Sequence, residues 1–128
     1  MNADKTKNAL HVNKDSPVWK ACNDDHQVYD KFYADMIKDF APYVADFLND
    51  GIPTLIYAGD YEFICNYLGN RAWTLKLDWD HNTEFNAAKE KEWNNRAGLV
   101  RSTNGLTFLQ VHDAGHMVPA TNLRLRSP

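Results

Sequence analysis

An α/β fold with a partly represented sheet is what this sequence predicts, and three features predict it. IPTLIYAG, residues 52–59, is a short apolar run rich in β-branched and aromatic residues, opened by Pro53 and closed by Gly59. A strand covered on both faces in a parallel sheet has this look, because alternation disappears when neither face meets water. Helical spacing of apolar residues precedes and follows that run, and LVRSTNGLTFLQV further on places Asn-Gly between two alternating segments, a strong hairpin signal. The order helix, strand, helix, loop, strand pair is an α/β pattern.

Taken in chain order, residues 2–12 (NADKTKNALHV) predict a short helix capped by Asn2 or Asp4, with Ala9, Leu10 and Val12 facing inward. A polar loop with Pro17 follows, and VWKACNDDHQ reads as an extended piece and a turn. From about Val28, Phe32, Met36, Phe40, Tyr43 or Val44, and Phe47 recur at helical spacing. They predict an amphipathic helix, broken or bent near Pro42 and stopped by Asn49-Asp50-Gly51. After the strand at 52–59, ICNYLGNRAWTLKL predicts a second helix, and the charged, aromatic residues 78–98 a surface loop with a short helix. LVRS and LTFLQVHDA then form the hairpin, turning at Thr103-Asn104-Gly105, and His116 sits in the loop beyond.

The composition, 44% hydrophobic and 24% charged over 128 residues, is that of one globular domain and not of a disordered chain. Net charge is −3 with Lys and Arg scattered among acids, so no basic stripe points to nucleic acid. No apolar window is long enough for a membrane span, and the polar start, MNADKTKNALHV, lacks the apolar core of a secretory signal. The expectation is a cytosolic protein or a piece of a longer, processed one. Cys22 and Cys65 cannot build a disulfide framework, no metal spacing surrounds them, and no Asn-x-Ser/Thr sequon is present. No cofactor and no metal is expected.

Functional side chains in open α/β sheets gather just past the carboxyl ends of strands. Asp60-Tyr61-Glu62 follows LIYAG, and Asp113-Ala114-Gly115-His116 follows TFLQV. An acid at one strand end and a histidine at a later one is the order of a hydrolase triad, in which the carboxylate fixes the imidazole that deprotonates a serine. Gly115 is expected to let the loop turn tightly enough to aim His116. The same residues also fit a plainer reading: acids favoured at a helix N-terminus and an ordinary loop histidine. His11, His26, His81 and His112 have no partner at metal spacing.

IPTLIYAGDYEFICNYLGNRAW together with LTFLQVHDAGHMVP resembles the C-terminal part of the serine carboxypeptidases, the carboxypeptidase Y and plant serine carboxypeptidase-like group. The resemblance rests on YAG-acid-x-acid-x-ICN-aromatic-LGN and on the later Gly-His-Met-Val-Pro string; Asn2 to Val12 and the ACN at Cys22 also fit, so it covers residues 1–119. It implies the C-terminal part of an α/β-hydrolase fold, a mostly parallel sheet flanked by helices. The implied activity is removal of C-terminal residues from peptides in an acidic vacuole, lysosome or extracellular space. His116 falls on the catalytic histidine, and Glu62, the second acid of the pair, on the triad carboxylate. Cys65 falls on a free thiol lining the substrate pocket, with Met117 and Asp60 as further pocket residues. Cys22 falls on a cysteine that pairs with one in the family's N-terminal part.

Three departures qualify the expectation. The family carries Asp where this chain has Glu62, and the extra methylene moves the carboxylate by about an ångström, enough to cost rate. The serines are Ser16, Ser102 and Ser127, none within Gly-x-Ser-x-Gly, so the nucleophile is expected from an N-terminal, serine-bearing part or chain. After HMVP the family runs through Asp-Gln-Pro into a final helix, whereas residues 120–128 form a divergent tail. A strand apolar on both faces also expects neighbours that this chain lacks. The expected protein is therefore a serine-type carboxypeptidase segment, inactive by itself, that meets a peptide substrate only with its serine-bearing partner. The alternative is a truncated, non-catalytic relative that binds peptide or protein.

Overall fold

Residues 1–22 and 28–118 are described by the computed structural model, and they belong to two units, Met1–Lys38 and Asp39–Pro128. The turn expected around Asn23–Gln27 and the tail from residue 120 lie outside the described residues.

The first unit holds α1 (Asp4–Ala9) and α2 (Tyr29–Phe32). Neither Asn2 nor Asp4 caps α1; its N-cap is Ala3, with no side-chain cap bond. Asn2 is used elsewhere. Its side chain accepts from the Trp19 N–H (2.7 Å) and donates to the Trp19 carbonyl (2.9 Å), a two-point bridge across the loop. Leu10 and Val12 are exposed rather than core, and no described residue of this unit is buried.

The long amphipathic helix expected from Val28 is two helices, α2 and α3 (Ala41–Asn49). Pro42 does not break a helix. It stands in the first turn of α3, where its missing N–H costs no bond and its fixed φ suits helix entry. Gly51, at φ +78°, ends α3 as expected. Phe32, Met36, Phe40, Tyr43 and Phe47 lie exposed; of the two alternatives Val44 is the one packed against the core, where α3 buries Ala45 and Leu48.

The second unit is built on a four-stranded sheet ordered β1-β4-β3-β2, from β1 (Thr54–Gly59), β2 (Lys91–Trp93), β3 (Gly98–Thr103) and β4 (Leu106–Val111). The strands β3 and β4 form the expected antiparallel hairpin, with Thr103 facing Leu106 across Asn104-Gly105. Both turn residues have positive φ, 45° and 92°, the conformation of a type I′ turn that Asn-Gly favours. β1 pairs with β4 in parallel, from Thr54 opposite Leu106 to Gly59 opposite Val111. Between them run α4 (Tyr67–Leu75) and α5 (Asn82–Ala87).

Buried on both faces, β4 is the axis of this unit. Leu106 and Phe108 point into a core with Ala45, Leu48, Leu77, Trp79 and Phe85; Leu109 and Val111 point the other way, against Ala114 and Val118. Residues 78–98 are not merely surface, since Trp79, Phe85 and Ala97 are buried and Lys91–Trp93 adds a strand. Arg101 secures α5: its guanidinium donates to the carbonyls of Phe85 (3.2 Å) and Asn86 (2.9 Å) and lies over the Phe85 ring. β1, by contrast, is the outer strand of the described sheet, with Leu55 and Tyr57 about half exposed on one face.

Phe85 has no exposed surface at the centre of the larger core. Phe85→Ala should lower the unfolding free energy by about 3–5 kcal/mol, read from urea denaturation followed by tryptophan fluorescence.

Candidate active site

The parallel register brings β1 and β4 to the same level at Gly59 and Val111, so the two following loops leave the sheet side by side. They are then stitched together through the backbone. The Asp60 N–H donates to the Val111 carbonyl (3.0 Å) and the Tyr61 N–H to the Ala114 carbonyl (3.0 Å). This closeness requires a glycine at 59: a Cβ there would lie 2.0 Å from the Ala114 oxygen. Asp113, at φ 56°, supplies the reversal of the second loop, a conformation that Asp tolerates better than most residues. Gly115, expected to make that turn, has neither a positive φ nor any crowding at its Cβ position.

Asp60 and Glu62 are unequal in what they touch. An Asp60 carboxylate oxygen accepts the Asp113 N–H (2.9 Å), a strap from the first loop to the second. Tyr61 adds to it, its hydroxyl donating to Asp113 Oδ1 (3.3 Å). Glu62 turns toward the histidine: its Oε2 lies 2.9 Å from His116 Nδ1. Its Oε1 accepts two backbone N–H groups, those of Ile64 (2.9 Å) and Cys65 (3.0 Å). The extra methylene therefore does not prevent contact with the imidazole. The Glu62 side chain is 8% exposed and that of His116 70%. The acid is sheltered, and Nε2 of the ring is left for another partner.

Glu62 does not serve α4 as a first-turn acid, because that helix begins at Tyr67 and has no acid in its first turn. The helix starts on Asn66, whose side-chain oxygen accepts the Gly69 N–H (2.8 Å). Asn70 reaches back from α4 to donate to the carbonyls of Cys65 (2.9 Å) and Asn66 (3.1 Å), and accepts from the Trp73 indole (3.0 Å). These two asparagines fix the turn that presents the Cys65 N–H to Glu62. Both stand in the ICNYLGN string that carries the resemblance, and an Asn just before a helical run is itself an N-cap signal.

A shallow cavity of about 220 Å³ opens between the loops, and Glu62, Cys65, Asn70, Gly115 and His116 are among its lining residues. Cys65 is a free, exposed thiol there. Met117 is 63% exposed, and neither it nor Asp60 lines this cavity. Cys22 lies in the first unit, exposed and unpaired with any described cysteine.

The Glu62 carboxyl is held below its ordinary value. The Cys65 N–H contributes most, with the Ile64 N–H and the His116 side chain acting in the same direction and partial desolvation opposing them. A depressed carboxyl stabilises the fold only while ionised. Its contribution is complete above the ordinary glutamate range and is lost as pH falls through the depressed value.

At the carboxyl ends of two parallel strands, a sheltered carboxylate thus meets an open imidazole. Residues 1–124 match the family model described as serine carboxypeptidase, and the chain belongs to that family. Carboxypeptidase Y of Candida albicans is 41% identical over 122 residues, which cover 93% of this chain and 22% of that protein. The vacuolar serine-type carboxypeptidase ATG42 of Saccharomyces cerevisiae is 39% identical over 106 residues, 79% of this chain and 21% of its own length. The crystal structure of Kex1(delta)p, a prohormone-processing carboxypeptidase from Saccharomyces cerevisiae, superposes with a TM-score of 0.70. That match has 25% identity and covers 98% of this chain and 28% of that one. The chain thus spans less than a quarter of the length of these two curated relatives, and its fold is part of the α/β-hydrolase fold.

Gly59→Ala must push the 113–115 backbone away. It should destabilise the unit by at least about 1–3 kcal/mol and lower hydrogen-exchange protection of the Tyr61 amide by about tenfold or more. In a carbon-detected NMR titration, Glu62 should ionise below the ordinary glutamate range. In His116→Ala it should remain depressed, because the backbone N–H groups are the larger cause.

Proposed function

We propose that this chain supplies the histidine and the acid of a serine carboxypeptidase active site, with the attacking serine coming from a part of the enzyme that the chain does not span. The observation that carries the reading is the 2.9 Å contact between Glu62 Oε2 and His116 Nδ1. In this role Glu62 holds the Nδ1–H tautomer and steadies the imidazolium, while Nε2 takes the serine proton and later returns it to the leaving amine of a peptide. Cys65 belongs to the wall of the substrate pocket, beside the imidazole. The depressed Glu62 carboxyl keeps the acid ionised under mildly acidic conditions, which suits a vacuolar, lysosomal or extracellular enzyme.

The surface around the pair supports a covering partner. Phe63 is 90% exposed and Ile64 84%, with Tyr61, Leu68, Leu55 and Tyr57 also open, and β1 has no described strand on its outer side. Large apolar side chains left this open favour an interface reading. The serine-bearing remainder of the hydrolase is its proposed occupant, and Cys22 the proposed disulfide partner of a cysteine there. Among the described residues no helix is long and apolar enough to cross a membrane.

A graft tests the reading. With this chain replacing the matching segment of Candida albicans carboxypeptidase Y, the hybrid should react with a fluorophosphonate probe and trim a peptide with a free, not a blocked, C-terminus. Glu62→Gln should lower kcat by about 10⁴, and His116→Ala should abolish trimming above background. A folded hybrid that binds peptide yet neither labels nor trims would establish a non-catalytic binding role instead.

A further inference from the structure

Glu62, Cys65 and His116 place a carboxylate oxygen, a thiol sulfur and an imidazole nitrogen all within 4.8 Å of one another. No linear metal motif encodes this set, since Glu62 and Cys65 are three residues apart and His116 arrives from the other loop. We propose that these three side chains form a binding site for a thiophilic divalent cation, Zn²⁺ above all, which displaces the Glu62–His116 hydrogen bond. Carboxylate, thiolate and imidazole are the zinc ligands of proteins, and three of them plus water complete an open tetrahedral site.

The geometry asks for little movement. Zinc bonds of about 2.0–2.3 Å set tetrahedral ligand atoms roughly 3.3–3.8 Å apart. The 2.9 Å Glu62–His116 pair must open slightly and Cys65 swing inward, and the exposed thiol and ring are free of tight packing. The backbone already holds the carboxylate through Oε1, leaving Oε2 for the ion. On binding, the Cys65 proton goes to solvent, and the imidazole stays neutral as its proton moves to Nε2. One proton is released per ion, and binding weakens as pH falls. Glu62 and His116 would then be unavailable to a serine, so occupation is inhibitory. The site itself does not depend on the carboxypeptidase reading, because it needs no residue outside this chain.

The 128-residue chain is titrated with Zn²⁺ against a chromophoric chelator, and with Co²⁺ for its thiolate charge-transfer absorption. The expected result is one ion per chain with a cobalt–thiolate band. Affinity should fall at least about 100-fold in Cys65→Ser and His116→Ala but be unchanged in Cys22→Ser. Circular dichroism checks that the variants fold. In the unaltered chain, Zn²⁺ should protect Cys65 but not Cys22 from alkylation, a readout that needs no variant. Undiminished binding in Cys65→Ser, no cobalt–thiolate band, or equal alkylation of both thiols with Zn²⁺ would each overturn the proposal.

Discussion

The site depends on one close approach: the backbone of residues 113–115 lies against Gly59, where no side chain beyond hydrogen can stand. Two loops from strands distant in sequence share a boundary because of it. The Tyr61 N–H reaches the Ala114 carbonyl, Asp60 reaches the Asp113 N–H, and His116 is delivered to Glu62. The parallel pairing of β1 with β4 sets the level of the loops, and the absence of a Cβ sets their separation. A larger residue at 59 would push the two loops apart.

The two acids meet different partners. Asp60 spends its carboxylate on the backbone of the opposite loop and helps hold the imidazole's loop in place. Glu62 is longer, and this length lets one oxygen take the Ile64 and Cys65 N–H groups while the other meets the ring. Where the resemblance leads one to expect an aspartate, the chain has a glutamate that is both anchored and in contact. The anchoring turn is itself secured by Asn66 and Asn70, so the helix after β1 contributes through its caps more than through its buried face.

How much of this was legible in the sequence varied with the range of the physics involved. The Asn104-Gly105 turn and the strand at LIYAG are local signals, and both are present. The Glu62–His116 contact followed from strand-end placement together with the family's pattern. What escaped was non-local. β2 and the buried Trp79 and Phe85 lie in a stretch whose charge read as surface, because only tertiary packing distinguishes a buried aromatic from an exposed one. Pro42 read as a break because a proline at a helix start and one inside a helix look alike when the flanking apolar residues run on. Gly115 drew attention by standing next to the histidine, whereas the glycine that matters is Gly59, distant in sequence and brought against the 114–115 backbone only by the sheet register. The exposed stripe from Phe32 to Phe47 has the periodicity of a core face, and its side chains meet no core among the described residues.

Glu62, and not Asp60, is the acid on the His116 imidazole. Nitrogen NMR of histidine-labelled chain near neutral pH reads the tautomer directly. His116 should carry its proton on Nδ1 in the unaltered protein, and Glu62→Gln should abolish this preference. Asp60→Asn should preserve it wherever the loop remains folded. An Nε2–H tautomer in the unaltered chain, or a preference that survives Glu62→Gln, would contradict Glu62 as the orienting acid.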